Sequence, residues 1–163
     1  RFAEGAHHLA PGSGQDGARL KKMAKENIEF LGWLGDTEIA RLYSGCRALI
    51  FPGVEDFGIV PLEAMASGRP VIAFACGGAL ETVAGLDYGT AKNGKASPTG
   101  VFFNEQTPDS LIEAVKTFEK NIGSFNPAAI RERALGFDRA VFKKRLEEFI
   151  FSKYNELKPT KDA

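Results

Sequence analysis

Short apolar runs alternate along the chain with segments in which apolar residues recur at helical spacing. RALIF (47–51) and VIAF (71–74) are two such runs, and each has the length of a β-strand. Runs of this kind, alternating with amphipathic helices, are typical of parallel strands joined by crossover helices. The pattern therefore predicts an α/β domain built on a parallel sheet.

Glycine, proline and capping residues between these segments set the predicted boundaries. Helices are predicted at 18–26, 36–45, 59–67 and 79–84, from Pro108 onward and twice more towards the C-terminus, and strands at 28–31, 47–51, 71–74 and 100–103. Leu20, Met23 and Ala24 form the predicted inward face of the first helix. RALIF is expected to be a central strand because it is mostly apolar. The polar segment 85–99 lacks periodicity and is expected to be a mobile loop.

The predicted elements form one domain, 18–157, followed by a tail, 158–163. With 163 residues, of which 44% are hydrophobic, the chain can build one sizeable core. The Gly- and Ala-rich segment 1–17 is expected to be irregular, as the remnant of an expression vector or of a truncated domain. Its adjacent histidines, His7 and His8, lack a carboxylate or thiol partner, which disfavours a metal site. The chain does not begin with Met, so we expect further residues upstream.

Composition argues against several classes of partner. Lys plus Arg and Asp plus Glu both number 21, so no net field attracts nucleic acid or an anionic membrane. Cys46 and Cys76 lie among apolar residues without the spacing of metal ligands, which is typical of reduced thiols in a cytosolic protein. No apolar run approaches the ~20 residues of a transmembrane helix. Any phosphate that binds must therefore be held by local groups.

The segment EDFGIVPLE, from Glu55 to Glu63, is the most informative part of the sequence for chemistry. It follows a predicted strand and opens a predicted helix, and ligands of open parallel sheets bind at such carboxyl ends. The backbone N–H groups of Phe57, Gly58 and Ile59 would lie at the first turn of that helix, where unpaired donors and the helix dipole favour an anion. The segment therefore predicts a site for a diphosphate.

Glu55 and Glu63 are expected to face one ligand from different heights, the first from the loop and the second about one turn into the helix. Ionised carboxylates accept hydrogen bonds, and sugar and ribose hydroxyls donate them. A carboxylate pair also serves glycoside hydrolysis, but a helix N-terminus between the two acids suits a phosphate better. The simplest alternative is a pair of surface acids that interact only with solvent and the helix dipole.

The stretch 27–83 resembles the signature region of the retaining group 1 glycosyltransferases, which have the GT-B fold. The shared features are two glutamates separated by seven residues (Glu55 and Glu63), an FxG element (Phe30 to Gly32), an EAMASG helix (63–68), a GG-x-x-E turn (Gly77 to Glu81) and a late strand-to-helix segment, TGVFFNEQTPDSL (99–111). These features cover most of the chain, and their order and spacing make the resemblance specific.

The resemblance implies a role for each matching position. Glu55 would contact the hydroxyls of the donor sugar and serve as the catalytic residue, and Glu63 would bind the hydroxyls of the ribose. The other implied donor contacts come from Phe57, Gly58, Ile59, Gly77, Gly78 and the backbone near Trp33 and Leu34. Of these, the amides at 57–59 would hold diphosphate or sugar oxygens, and the backbone near Trp33 would flank the base. Packing in the core or on the surface is the alternative role for Trp33.

The resemblance also implies a reaction, namely transfer of a hexose from a UDP-, GDP- or ADP-sugar to an acceptor hydroxyl with retention of configuration. No metal or other cofactor is expected, because helix N–H groups can hold the diphosphate. Such proteins carry an upstream domain for the acceptor and an Arg/Lys pair for the diphosphate, and neither has a counterpart in residues 1–17. The resemblance therefore implies that the chain is the C-terminal, donor-binding half of a GT-B enzyme, an α/β domain with a Rossmann-like, doubly wound parallel sheet. This half is expected to be inactive on its own.

The expected setting is the synthesis of a glycan or glycolipid in the cytoplasm, with peripheral contact to the inner face of the membrane through the upstream domain. Two alternatives stay open. One is a non-catalytic module that binds nucleotide sugars, and the other is a sugar-nucleotide epimerase of similar fold. Glu55 in the spacing E-x-F-G-x-x-P-x-E favours transfer over epimerisation.

Overall fold

A computed structural model describes residues 8–86 and 97–157 of the chain. In this part, parallel strands alternate with helices, as the sequence predicts. The strands are β1 (His8–Pro11), β2 (Ile28–Gly32), β3 (Leu49–Phe51), β4 (Val71–Phe74) and β5 (Gly100–Phe103). The helices are α1 (Gly17–Met23), α2 (Asp36–Gly45), α3 (Ile59–Ala66), α4 (Ala79–Thr82), α5 (Pro108–Lys120), a 3-10 turn (Ile122–Ser124), α6 (Pro127–Leu135) and α7 (Arg139–Leu157).

The described strands form two parallel sheets rather than one. β1 pairs with β2, and β3, β4 and β5 pair in that order, with Leu49 opposite Val71 and Val71 opposite Gly100. β3 is thus an edge strand among the described residues, and the prediction that RALIF is central was wrong for this structure. Leu49 and Ile50 of β3 and residues His8–Pro11 of β1 line the same cleft of about 1090 Å³.

The core is built from the three-stranded sheet and helices α3, α5 and α6. Met65 on α3, Val71 on β4 and Ile130 on α6 are fully buried. Burial of one such side chain contributes roughly 1.5–3 kcal/mol. The helix starts agree with the sequence: the Thr107 hydroxyl accepts a hydrogen bond from the Ser110 N–H, and Asn126 caps α6 in the same way. The loops that follow β3 and β4 therefore stand on a well-packed base.

The N-terminal part of the chain departs from the sequence prediction. Residues 1–17 were expected to be irregular, yet they include β1, whose Leu9 lies opposite Glu29 of β2. The inward face predicted for α1 is also wrong, because Leu20 and Met23 are exposed. α1 is only seven residues long, and the two-stranded sheet beside it offers little surface to cover.

The C-terminal helix agrees with the sequence prediction only in part, and the structure describes only the ends of the polar loop. α7 forms as predicted, but none of its side chains is buried, including Phe142 and Phe149. Residues 87–96, the centre of the loop predicted to be mobile, lie outside the described residues. The two ends of that loop are held together, since the Thr99 N–H donates to the Ala84 carbonyl at 2.7 Å.

Candidate functional site

The loops that follow β3 and β4 meet and form one unit at the carboxyl ends of these strands. The Gly78 N–H donates a hydrogen bond to the Glu55 carbonyl at 2.8 Å. A Cβ atom at Gly78 would collide with the Phe57 carbonyl oxygen, and one at Gly77 would collide with the Glu55 carbonyl oxygen. Gly77 also has φ +60°, where side chains are rarely found. The two glycines therefore let the backbones of the two loops pack directly against each other.

The start of α3 lies at this junction, as the sequence predicts. Gly58 is the N-cap residue with φ +79°, a left-handed conformation that favours glycine. Phe57 and Ile59 on either side of it are exposed, so solvent reaches this end of the helix. The first N–H groups of a helix have no partner within it, and the helix dipole is positive there. This end of α3 can accept an anion such as a phosphate.

Glu55 and Glu63 are both exposed, Glu55 in the loop and Glu63 one turn into α3. The Tyr43 hydroxyl of α2 donates a hydrogen bond to Glu63 Oε2 at 3.1 Å. Burial, and after it the negative charge of Glu63, raises the pKa of Tyr43 to about 12. The tyrosine therefore stays protonated at neutral pH and keeps its donor on the carboxylate.

The helical spacing of Ile39, Leu42 and Tyr43 predicts that they form the buried face of α2, and it does not indicate this contact. A partly buried tyrosine usually finds a hydrogen-bond partner for its hydroxyl. That rule could have indicated a partner, although it could not have named a residue 20 positions away.

Trp33 and Leu34 follow β2 and open the turn into α2. Trp33 is 81% exposed, which excludes its alternative role in the core, whereas Leu34 is half-buried. Glu38 accepts a hydrogen bond from the Gly35 N–H at 3.0 Å, which fixes this turn to the start of α2. The turn is thus joined to Glu63 only indirectly, through α2 and its tyrosine.

Helix α6 supports the site through hydrogen bonds from Arg133 to the end of α4. The sequence did not predict this contribution. Arg133 donates to the Thr82 carbonyl at 2.5 Å and to the Glu81 carbonyl at 2.8 Å, the last turn of α4. Burial lowers the pKa of Arg133. The Phe137 ring lies 5.9 Å from the Arg133 guanidinium and meets the Phe57 ring edge-on, with centroids 6.3 Å apart. No local sequence signal connects these residues, because they lie 50 to 80 positions apart.

The part of the chain that the structure describes contains no group of three or more His, Cys, Asp or Glu side chains that could hold a metal ion. Within it, no helix is both long and apolar enough to cross a membrane. Cys46 and Cys76 are free and half-buried, and burial raises the pKa of the Cys46 thiol.

The sequence model of the family described as glycosyl transferases group 1 matches residues 12–134. The chain belongs to this family. The matched span of this group 1 glycosyltransferase sequence includes every predicted site residue, from Trp33 to Gly78.

Similar proteins agree with the assignment to the group 1 glycosyltransferases. Human alpha-1,3/1,6-mannosyltransferase ALG2 is 31% identical over 143 residues, which are 80% of this chain and 31% of that protein. Sucrose-phosphate synthase from Thermosynechococcus elongatus has a similar structure, with a TM-score of 0.66, 26% identity and coverage of 89% of this chain and 38% of that one. HepE of Anabaena, solved with UDP-glucose, gives a TM-score of 0.66 at 22% identity, over 90% of this chain and 41% of that one.

The two solved structures are GT-B glycosyltransferases, and their likeness confirms the predicted Rossmann-like fold class. The chain spans less than half the length of each of the three proteins.

Proposed function

We propose that this chain is the donor-binding half of a retaining glycosyltransferase, which transfers a hexose from a nucleoside-diphosphate sugar to an acceptor hydroxyl. The proposal rests above all on the convergence of three features at the carboxyl ends of β3 and β4. These are the start of α3, the exposed pair Glu55 and Glu63, and the Gly77–Gly78 turn. A positive helix end between carboxylates fits a ligand that carries both phosphates and hydroxyls.

In this proposal each part of the donor has its own contact. The amides at 57–59 hold the diphosphate, Glu63 accepts hydrogen bonds from the ribose, and Glu55 accepts them from the sugar. The base lies near the exposed Trp33. Catalysis then consists mainly of positioning the donor and of stabilising the negative charge on the departing diphosphate. The backbone N–H groups supply this stabilisation, so the proposal needs no metal ion.

The first sugar to test is mannose, because ALG2 is by name a mannosyltransferase and is 31% identical to this chain. We further propose that an upstream domain supplies the acceptor site and any peripheral contact with the cytoplasmic face of a membrane. The 163-residue chain would then bind the donor without turning it over.

The cleft between β1 and β3 supports the idea that additional chain completes the domain. In the described residues β3 is paired along one edge only, and an apolar strand of this kind is usually covered or paired in a finished protein. From the spacing of strands and layers, one residue of a paired strand fills roughly 160 Å³. The cleft of about 1090 Å³ therefore has room for one short strand.

Titration calorimetry of the 163-residue chain with UDP, GDP and ADP, and with the matching sugar nucleotides, tests the proposal. One of the three diphosphates should bind. Glu63→Ala should weaken that binding about tenfold or more, because it removes charge-assisted hydrogen bonds to the ribose. Glu55→Ala should lower the affinity for the sugar nucleotide and leave the affinity for the bare diphosphate unchanged.

The matched control is Glu147→Ala, which removes an exposed helix acid on α7, away from the site. It should leave both affinities unchanged. Loss of Glu63 should lower the free energy of unfolding by about 1–2.5 kcal/mol, because it removes both an acid near a helix start and the hydrogen bond from Tyr43. If Glu55→Ala and Glu63→Ala both bind like the wild type, the two glutamates are ordinary surface acids.

A further inference from the structure

Among the side-chain hydrogen bonds of the described residues, the one between Tyr43 and Glu63 ties α2 to the carboxylate pair. The Tyr43 ring packs against the hydrophobic core, so the position of its hydroxyl is fixed by buried neighbours. Glu63 is exposed and would otherwise be free to change rotamer. The 3.1 Å contact therefore transfers the rigidity of the core to a side chain in solvent.

The geometry leaves Glu63 able to bind a ligand while it is held. A carboxylate offers about four acceptor positions on its two oxygens, and the tyrosine uses one of them on Oε2. The outward oxygen stays available for hydroxyl donors. Ordering an exposed glutamate on binding loses rotamer entropy, and a side chain that is already ordered avoids that loss.

We propose that Tyr43 is a positioning residue, which holds the Glu63 carboxylate in the orientation that accepts hydrogen bonds from the ribose diol. The inference rests on the proposed function, because it takes Glu63 as the ribose ligand. Tyr43 itself touches no part of the nucleotide in this scheme. Its effect should therefore depend on the ribose hydroxyls.

A thermodynamic cycle tests this dependence, in which the Tyr43 hydroxyl and the ribose hydroxyls of the ligand are removed separately and together. The wild type and Tyr43→Phe are titrated with the preferred ribonucleoside diphosphate and with its 2′,3′-dideoxy analogue. Tyr43→Phe should lower the affinity for the ribonucleotide about threefold to tenfold, as expected for one hydrogen bond. It should leave the affinity for the dideoxy analogue unchanged. Tyr154→Phe on α7 is the control and should change neither.

Each other outcome has a definite meaning. Equal losses for both ligands would show that Tyr43 only supports the fold, and no loss for either would show that Glu63 needs no positioning. Both results overturn the inference while the proposed function stands, provided that Glu63→Ala still abolishes the preference for the ribose. If Glu63→Ala keeps that preference, or if no diphosphate binds, the proposed function fails and the inference fails with it.

A ligand-free measurement checks the contact separately. With tyrosines labelled for NMR, the phenol of Tyr43 should ionise at lower pH in Glu63→Gln than in the wild type, because the neighbouring negative charge is gone. An unchanged ionisation curve would mean that the two side chains do not meet in solution, and the inference would be withdrawn.

Discussion

Two regions of the molecule are packed to very different degrees. We call the described residues 51–86 and 97–134 the packed region, and residues 8–50 the open region. Every buried residue in the described part of the chain lies in the packed region. Each residue of the open region is half-buried or exposed. The packed region has β4, β5 and the last residue of β3, with helices α3, α5 and α6 against them. The open region has β1, β2, the seven-residue helix α1, α2 and the first two residues of β3.

This difference divides the candidate site. The start of α3, both glutamates and the Gly77–Gly78 turn belong to the packed region, whereas Trp33, Leu34 and Tyr43 belong to the open region. The side of the site proposed to hold the phosphates and the sugar therefore rests on a well-packed base. The side proposed to hold the base depends on α2, which the hydrogen bond from Tyr43 joins to Glu63 of the packed region.

The largest change in stability is expected from Gly78→Ala, because it adds a methyl group where the two site loops are in direct backbone contact. The added methyl group would collide with the Phe57 carbonyl oxygen, so one of the two site loops must move. The free energy of unfolding should fall by roughly 3–5 kcal/mol, the range of severe steric substitutions. Urea denaturation measures the change.

Gly123→Ala is the matched control for Gly78→Ala, because nothing lies within 4 Å of a Cβ built at Gly123. It should leave the urea midpoint nearly unchanged. Equal midpoints for Gly78→Ala and the wild type would show that the two loops are not packed as tightly as the structure indicates.

The next effect compares the two methionines of the sequence, one in each region. Met65 is fully buried, and Met23 is 66% exposed. Met65→Ala should lower the free energy of unfolding by about 2–5 kcal/mol, because it leaves a cavity in the core. Met23→Ala should change it by less than about 0.5 kcal/mol. A similar loss for both would mean that the open region is packed in solution, and the contrast drawn above would be wrong.

The sequence predicted the packed region better than the open one, for a physical reason. β4 and β5 were predicted to the residue, since Pro70 and Gly100 mark where they begin. The start of α5 was equally clear from Thr107 and Pro108. These signals are local. β1 was missed because a four-residue strand among glycines carries no periodic signal.

Contacts between distant residues set the limit of prediction at the site. The position of Glu55 beside Gly78 follows from strand order, which the apolar pattern does not specify. The brace from Arg133 to α4 and the bond from Tyr43 to Glu63 join elements far apart in sequence. The sequence could indicate which residues carry chemistry, but not which side chains hold them.

The smallest expected effect is a change in the free energy of unfolding at high pH, where the hydrogen bond from Tyr43 to Glu63 is lost. Burial, followed by the charge of Glu63, raises the pKa of Tyr43 to about 12, against 10.0 for a free phenol, and Cys46 nearby contributes in the same direction. The unfolded chain therefore loses this proton at lower pH than the folded protein does. The stabilisation from the protonated phenol is complete below pH 10 and is lost as the pH rises through about 12.

Denaturation curves of the wild type and Tyr43→Phe, recorded from pH 8 upward, isolate this contribution, because the other titrating groups are common to both proteins. The wild type should be more stable below about pH 10, by an amount near that of one hydrogen bond, about 0.5–1.5 kcal/mol. The advantage should shrink steadily above that pH. Because Tyr43 is half-exposed, solvent screens its interaction with Glu63 and the change should be modest. A difference that stayed constant up to pH 12 would show that the phenol proton is not held by the contact with Glu63.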